Sequence, residues 1–288
     1  MKLGIYLNGQ HPAGDDPARR FAETVEQARL IRRLGFDSIW GGEHHVTPGF
    51  HYFPLLPMLQ RLASEVEGMW VGTNLVLLPL HNPVELAEVG AFLDVITGGR
   101  FMLGVGLGYR TEEFAVFKVP MAERVSRLTE GVEIIRRLWT EERVTHHGRH
   151  WQLDDISIHP RPLQPPRPPI LVGSQVPAGI ARAARIADGW LVVPVPTVDE
   201  FAAQAGGFAA ARTAAVLPRA GTSVVCSRWC ARPTRTRRSA AQRRTSWRST
   251  RPTCRGASPA SPSIAPRSPK TSCDAWRRTG SHSAHPRR

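Results

Sequence analysis

Six times within the first 212 residues, a short apolar run gives way to a stretch whose apolar positions recur every three or four residues. The runs are Lys2–Leu7, Phe36–Trp40, Trp70–Leu78, Arg100–Val105, Ile170–Gly173 and Gly189–Val193. Such runs suit strands buried on both faces, and the intervening period suits helices with one buried side. The clearest helical faces are Phe21, Val25, Ala28, Ile31 and Leu34; Leu55, Leu59, Leu62 and Val66; Leu86, Val89, Leu93 and Ile96; and Val125, Leu128, Val132, Ile135 and Leu138. Helix starts are marked by Asp16-Pro17, Pro54 and Pro83, and stops by Gly35 and Gly98-Gly99. Repeating strand–helix units imply a parallel sheet, and the class expected is α/β, a (β/α)8 TIM barrel. A doubly wound sheet is the alternative, but no Gly-rich fingerprint follows the first strand.

Two regions break the alternation. Between 140 and 168, Glu142–Val144 and His150–Leu153 flank a His147-Gly148 turn, which predicts a hairpin insertion followed by a Pro-rich surface segment. The second break is sharper. Residues 218–288 hold 17 of the 38 Lys and Arg, all four cysteines, and one acid, Asp274. Residues 1–217 are therefore close to neutral, and the high overall charge is no nucleic-acid signature of the barrel. The barrel is expected to be truncated after about six βα units, with 218–288 a disordered, low-complexity basic tail. Its Arg, Pro, Ser, Thr and Ala content reads as out-of-frame translation of a GC-rich gene, or else as a nonspecific nucleic-acid binder. No signal peptide or apolar span is visible, so a cytoplasmic, membrane-free protein is expected.

The loop after the second run, Gly41-Gly42-Glu43-His44-His45, sets titratable groups at the C-terminal edge of the sheet, where barrels place their chemistry. Three readings apply: acid/base exchange through an imidazole beside a carboxylate, a structural hydrogen bond, or a metal site. No metal is expected: His51 is available as a third ligand, but adjacent histidines point different ways. Gly104-Val105-Gly106-Leu107-Gly108-Tyr109-Arg110 closes the fourth run. Gly106 and Gly108 would let a ligand approach the backbone and Arg110 would pair with an anion, or the turn is plain with Arg110 on Glu112 or Glu113. Gly173-Ser174 is either a phosphate clasp or a helix cap. Asn74, within an apolar run, braces the barrel or meets a ligand. His146, His147, His150 and His159 resemble a metal cluster by count, but a solvated loop is the expectation.

Together Gly35–Thr47, Val71–Pro83, Gly98–Phe114, Pro168–Ser174, the RLTEGVEIIRRLWTEE helix, the HGRHWQLDD hairpin and the later ADGW are similar to the bacterial luciferase-like flavin-dependent oxidoreductases, from residue 1 to about 217. The resemblance implies a (β/α)8 barrel with reduced FMN or coenzyme F420 at its C-terminal mouth. It makes His44 the catalytic residue, with Glu43 beside it, and Asn74, Gly106, Gly108, Arg110, Gly173 and Ser174 the cofactor-binding set. It implies a monooxygenase in which reduced flavin activates oxygen for attack on a small organic substrate. F420-dependent hydride transfer and an inactive fragment are the alternatives. Implied partners are a small-molecule substrate and a flavin reductase or F420-reducing system, with a family-like homo-oligomer if the barrel were complete. Where luciferase carries a phosphate-binding Arg, this chain has Leu107, with Arg110 three residues on. A barrel short of its last units would leave parallel edges unpaired and bind flavin poorly.

Overall fold

A computed structural model describes residues 2–192, 197–215 and 222–225. Its centre is one parallel sheet of strands β1 (Gly4–Leu7), β2 (Ser38–Gly41), β3 (Trp70–Thr73), β4 (Phe101–Val105), β5 (Ile170–Gly173), β6 (Gly189–Val192) and β7 (Thr222–Val225). They lie side by side in chain order. The helices between them are α1 (Pro17–Arg33), α2 (Leu55–Ala63), α3 (Pro83–Ile96), the short α4 (Thr111–Val116), α5 (Arg124–Thr140), α6 (Pro177–Ile186) and α7 (Val198–Ala214). This is the α/β barrel-type winding that the alternation predicts.

Local chemistry explains the helix ends. Asp16 accepts the Ala18 N–H at 2.9 Å to cap α1, and Asn82 does the same for Val84 at α3. Proline follows each cap, where its missing N–H costs nothing. Apolar side chains pack in two places. A large cluster lies between sheet and helices, and a smaller one, with Trp40, Leu171 and Leu191 at its centre, lies on the other side of the strands. Gly72 makes room for the second cluster, since a Cβ there would meet the Trp40 ring at 2.2 Å.

Several expectations change. The strand expected over Trp70–Leu78 ends at Thr73; the Asn74–Leu75 peptide is cis, Val76 makes a single bridge to Val105, and Leu78–Leu80 is a 3-10 turn. Pairing continues through Val76 and ends before Leu77, whose N–H goes to the Glu43 carboxylate. The expected six or so βα units are present, and a seventh strand follows them. Thr222–Val225 pairs in parallel with β6, Gly189 opposite Thr222, so strands continue beyond residue 217. Four residues amid Arg-rich sequence carry too little periodicity to be seen. The reading of the rest of 218–288 as a tail lies outside the described residues. Leu34 and Ile96, expected inside, are 65% and 37% exposed. In α3 the inward face has turned to Ala87, Gly90 and Ala91, which admit Trp139 of α5; its indole N–H donates to the Ala87 carbonyl at 2.9 Å. Among the described residues no helix is long and apolar enough to cross a membrane.

The insertion is a hairpin of Val144–His147 with Gln152–Ile156. It is not a solvated loop throughout. Glu130 on α5 accepts the N–H groups of His150 and Trp151, each at 3.1 Å, and lies 3.2 Å from His146 Nε2. His150 also meets Ser126 Oγ at 2.8 Å. His147, beside Asp154, and His159 in the Pro-rich return are exposed. The Pro-rich return is held by Asp94, fully buried on α3, whose carboxylate accepts Leu163 N–H (2.7 Å), Gln164 N–H (2.9 Å) and the Gln164 amide (2.6 Å).

Asp94→Ala strands these donors in the interior, and we expect a loss of about 3 kcal/mol in urea unfolding, with Asp94→Asn costing less. Asp188 gives a pH signature. It accepts two bonds from Arg167 (2.6 and 2.9 Å) and the Ile170 N–H at 2.7 Å. Burial alone would raise this carboxyl, but the guanidinium and the amide more than offset it and hold it below the usual aspartate range. A depressed group adds stability above its unfolded pKa and loses it as pH falls through the folded one. Asp188→Asn should therefore destabilise at neutral pH and flatten the acid limb below about pH 4 in stepped-pH urea titrations.

Candidate active site

Strand β2 is buried along its whole length and delivers Gly42, Glu43, His44 and His45 to the C-terminal edge of the sheet. Gly42 leaves no room for a side chain, since a Cβ would sit 2.3 Å from the Tyr6 hydroxyl of β1. A two-strand ribbon, Gln10–Pro12 with Phe50–Tyr52, joins the loops after β1 and β2 and brings Tyr52 to His44. His44 is held edge-on by Tyr52 and Tyr109, with ring centroids 5.4 and 5.8 Å away.

The organising group is Glu113 of α4, fully buried. Its Oε1 faces His44 Nδ1 at 3.0 Å, the His45 backbone N–H at 2.9 Å and Arg110 at 3.2 Å. With two other donors on the same oxygen, His44 presents Nδ1–H to it and turns Nε2 away from the carboxylate. Nε2 makes no hydrogen bond among the described residues, and the ring is 28% exposed. Arg110 donates to the carbonyls of His45 (2.8 Å) and Val46 (3.4 Å) as well as to Glu113. It thus braces the His44 loop, and the expectation that it meets an anion gives way to the alternative pairing with Glu113.

Glu43, placed beside His44 in sequence, faces elsewhere. It accepts the Leu77 N–H at 2.7 Å and His81 Nε2 at 2.9 Å, and His45 Nε2 lies 3.2 Å from its other oxygen. Burial works to raise this carboxyl, but the two imidazoles and the Leu77 amide prevail and hold it at about 2. Glu43 in turn raises His45, against burial. Burial, with Tyr6 beside it, pushes the Tyr52 hydroxyl up. His51, the third metal ligand considered from sequence, instead meets the Asp15 carbonyl at 3.1 Å.

The glycines expected to admit a ligand have other tenants. A Cβ on Gly106 would meet Leu75 at 2.6 Å, one on Gly173 would meet Leu75 at 2.4 Å, and one on Gly108 (φ +74°) would meet Phe114 at 2.9 Å. Ser174 Oγ turns onto the Val176 N–H at 3.4 Å, nearer a loop brace than a phosphate clasp. Asn74 sits at the mouth, half-buried, and its side-chain amide has no partner among the described residues. Glu113 and His81 are what sequence reasoning missed as site residues. His81 was findable, because it stands just before the Asn82-Pro83 helix start at the same sheet edge as Glu43.

Comparison with known proteins adds the following. A family model described as luciferase-like monooxygenase matches residues 1–282, further than the 217 expected. The 4-hydroxyprotoasukamycin monooxygenase of Streptomyces nodosus subsp. asukaensis is 32% identical, over 71% of this chain and 57% of its own. An F420-dependent glucose-6-phosphate dehydrogenase of Microbacterium testaceum is 34% identical, over 64% and 59%. A crystal structure of a monooxygenase from Streptomyces bottropensis superposes with a TM-score of 0.70 at 32% identity, over 76% of this chain and 68% of that one. The chain thus spans less than two thirds of the length of those two curated relatives.

Arg110→Ala leaves the Glu113 carboxylate and two loop carbonyls without their cation. We expect a loss of about 2–3 kcal/mol and faster hydrogen exchange at residues 44–47, measured by mass spectrometry.

Proposed function

The chain belongs to the luciferase-like monooxygenase family, whose members are flavin- or F420-dependent oxidoreductases, and on that premise we propose that it oxidises a small organic substrate with reduced flavin and oxygen. The observation that supports this reading is the His44–Glu113 pair at the mouth of the sheet. A buried carboxylate fixes one ring nitrogen and leaves the other, Nε2, open to whatever binds there. His44 would take up and return, through Nε2, the proton that the oxidation moves. Glu113 is a positioning residue: it sets the tautomer and orientation of His44 without reaching the substrate. Arg110 pairs with that carboxylate and holds the loop in place.

Bound flavin would supply the redox chemistry. The residues present suit its ring system: the unpaired Asn74 amide would meet a polar edge, Tyr109 offers an exposed aromatic face, and the apolar side chain of Leu75 would help exclude water. They suit a phosphate less well. Arg110 is already committed and Ser174 is turned onto its own loop. Supply of reduced cofactor by a separate reductase belongs to this reading, as does oligomerisation of a complete barrel.

The relatives use FMN or F420, and the identity to an F420-dependent dehydrogenase favours a second reading, hydride transfer with F420. Titration with FMN and with F420, followed by their absorbance, separates the two; binding of neither overturns the proposal. On the cofactor that binds, His44→Gln should lower kcat by about 100-fold or more. Glu113→Gln should lower kcat by at least about tenfold while cofactor affinity holds, with Glu113→Asp recovering part. A fall in affinity alone would make Glu113 merely structural.

A further inference from the structure

We propose that Glu43, His45 and His81 form a binding site for a divalent cation of the zinc class, distinct from the His44–Glu113 pair. The three side chains come from two segments, the loop after β2 and the turn after β3, and their ligand atoms lie within 4.8 Å of one another. Glu43 Oε1 is 3.2 Å from His45 Nε2 and 3.0 Å from His81 Nε2. A tetrahedral ion about 2.1 Å from each ligand would separate ligand atoms by roughly 3.4 Å. Two edges of that face are therefore in place to within a few tenths of an ångström.

Three further features favour a cation. His45 Nε2 is shut off from solvent and, despite its nearness to Glu43, makes no well-formed hydrogen bond. It is thus shielded from water, and an ion bound there would take the place of its proton. Glu43 is buried, and its partners are a backbone amide and two imidazoles; no Lys or Arg pairs with it among the described residues. A buried carboxylate with no Lys or Arg beside it calls for positive charge, which a divalent ion would supply. The donor set is two nitrogens and one oxygen, which suits zinc and its neighbours and not magnesium or calcium, which prefer oxygen alone. The Leu77 N–H on Glu43 Oε2 orients the carboxylate so that Oε1 faces the imidazoles, the supporting contact such sites require. Bound there, the ion would join the loop carrying His44 to the turn after β3.

The site is tested without any flavin, so its fate and that of the cofactor reading are separable. The full chain, dialysed against chelator, is titrated with Zn2+ by calorimetry and with Co2+ by visible absorption. We expect one equivalent bound, with the intense visible bands of tetrahedral Co2+. Glu43→Gln and His81→Gln should each weaken binding by about 100-fold or more, while His146→Gln, in the hairpin's own Glu–His pair, leaves it unchanged. Far-UV circular dichroism verifies folding, and if Glu43→Gln fails it, His81→Gln decides, since His81 lies at a partly exposed turn. No saturable binding by the parent chain, or undiminished binding by a folded His81→Gln, overturns the proposal.

Discussion

One oxygen atom, Glu113 Oε1, accepts from His44, from the His45 backbone and from Arg110. Everything at the mouth depends on that convergence. A fully buried carboxylate is tolerable only when its donors are fixed. Here they come from the loop after β2 and from the segment entering α4. The interaction therefore couples two loops that the barrel winding alone would leave independent. It also separates the carboxylates of the site by task. Glu113 serves His44, whereas Glu43, its neighbour in sequence, serves the opposite side of the loop.

Much of the fold was legible in the sequence, because a buried parallel strand and an amphipathic helix write different periods into a chain. The starts at Asp16 and Asn82 and the stop at Gly98-Gly99 were equally readable, since capping needs particular residue types. What escaped notice was set by tertiary partners. The run through Leu78 stops pairing at Leu77, whose N–H is taken by Glu43, 34 residues away. The face of α3 turns because Trp139 needs the small residues Ala87, Gly90 and Ala91. β7 is four residues long, too few for a period.

The site was half legible. The Glu43-His44-His45 loop was identified as the chemical edge, but which carboxylate serves which imidazole depends on side-chain direction, and adjacent residues point different ways. Arg110 illustrates the same limit. An Arg after a glycine-rich turn reads equally as an anion clamp or a brace, and only the carbonyls of His45 and Val46 distinguish them. Relatives of this chain are flavin- or F420-dependent. Choosing between them is a matter for the mouth, where Asn74 and His44 Nε2 are the groups left open.

Leu75 has a consequence of a different kind. Its side chain sits between Gly106 and Gly173, which belong to neighbouring strand exits, with no room for a Cβ at either. A wedge gripped by two backbones cannot change rotamer or be enlarged without prying β4 and β5 apart. The floor of the cavity is thus rigid masonry, and its walls are the adjustable part. Divergence of substrate range among close homologues would accordingly be written in the loops bearing Tyr52 and Tyr109, while the residue at position 75 and its two flanking glycines vary only as a set.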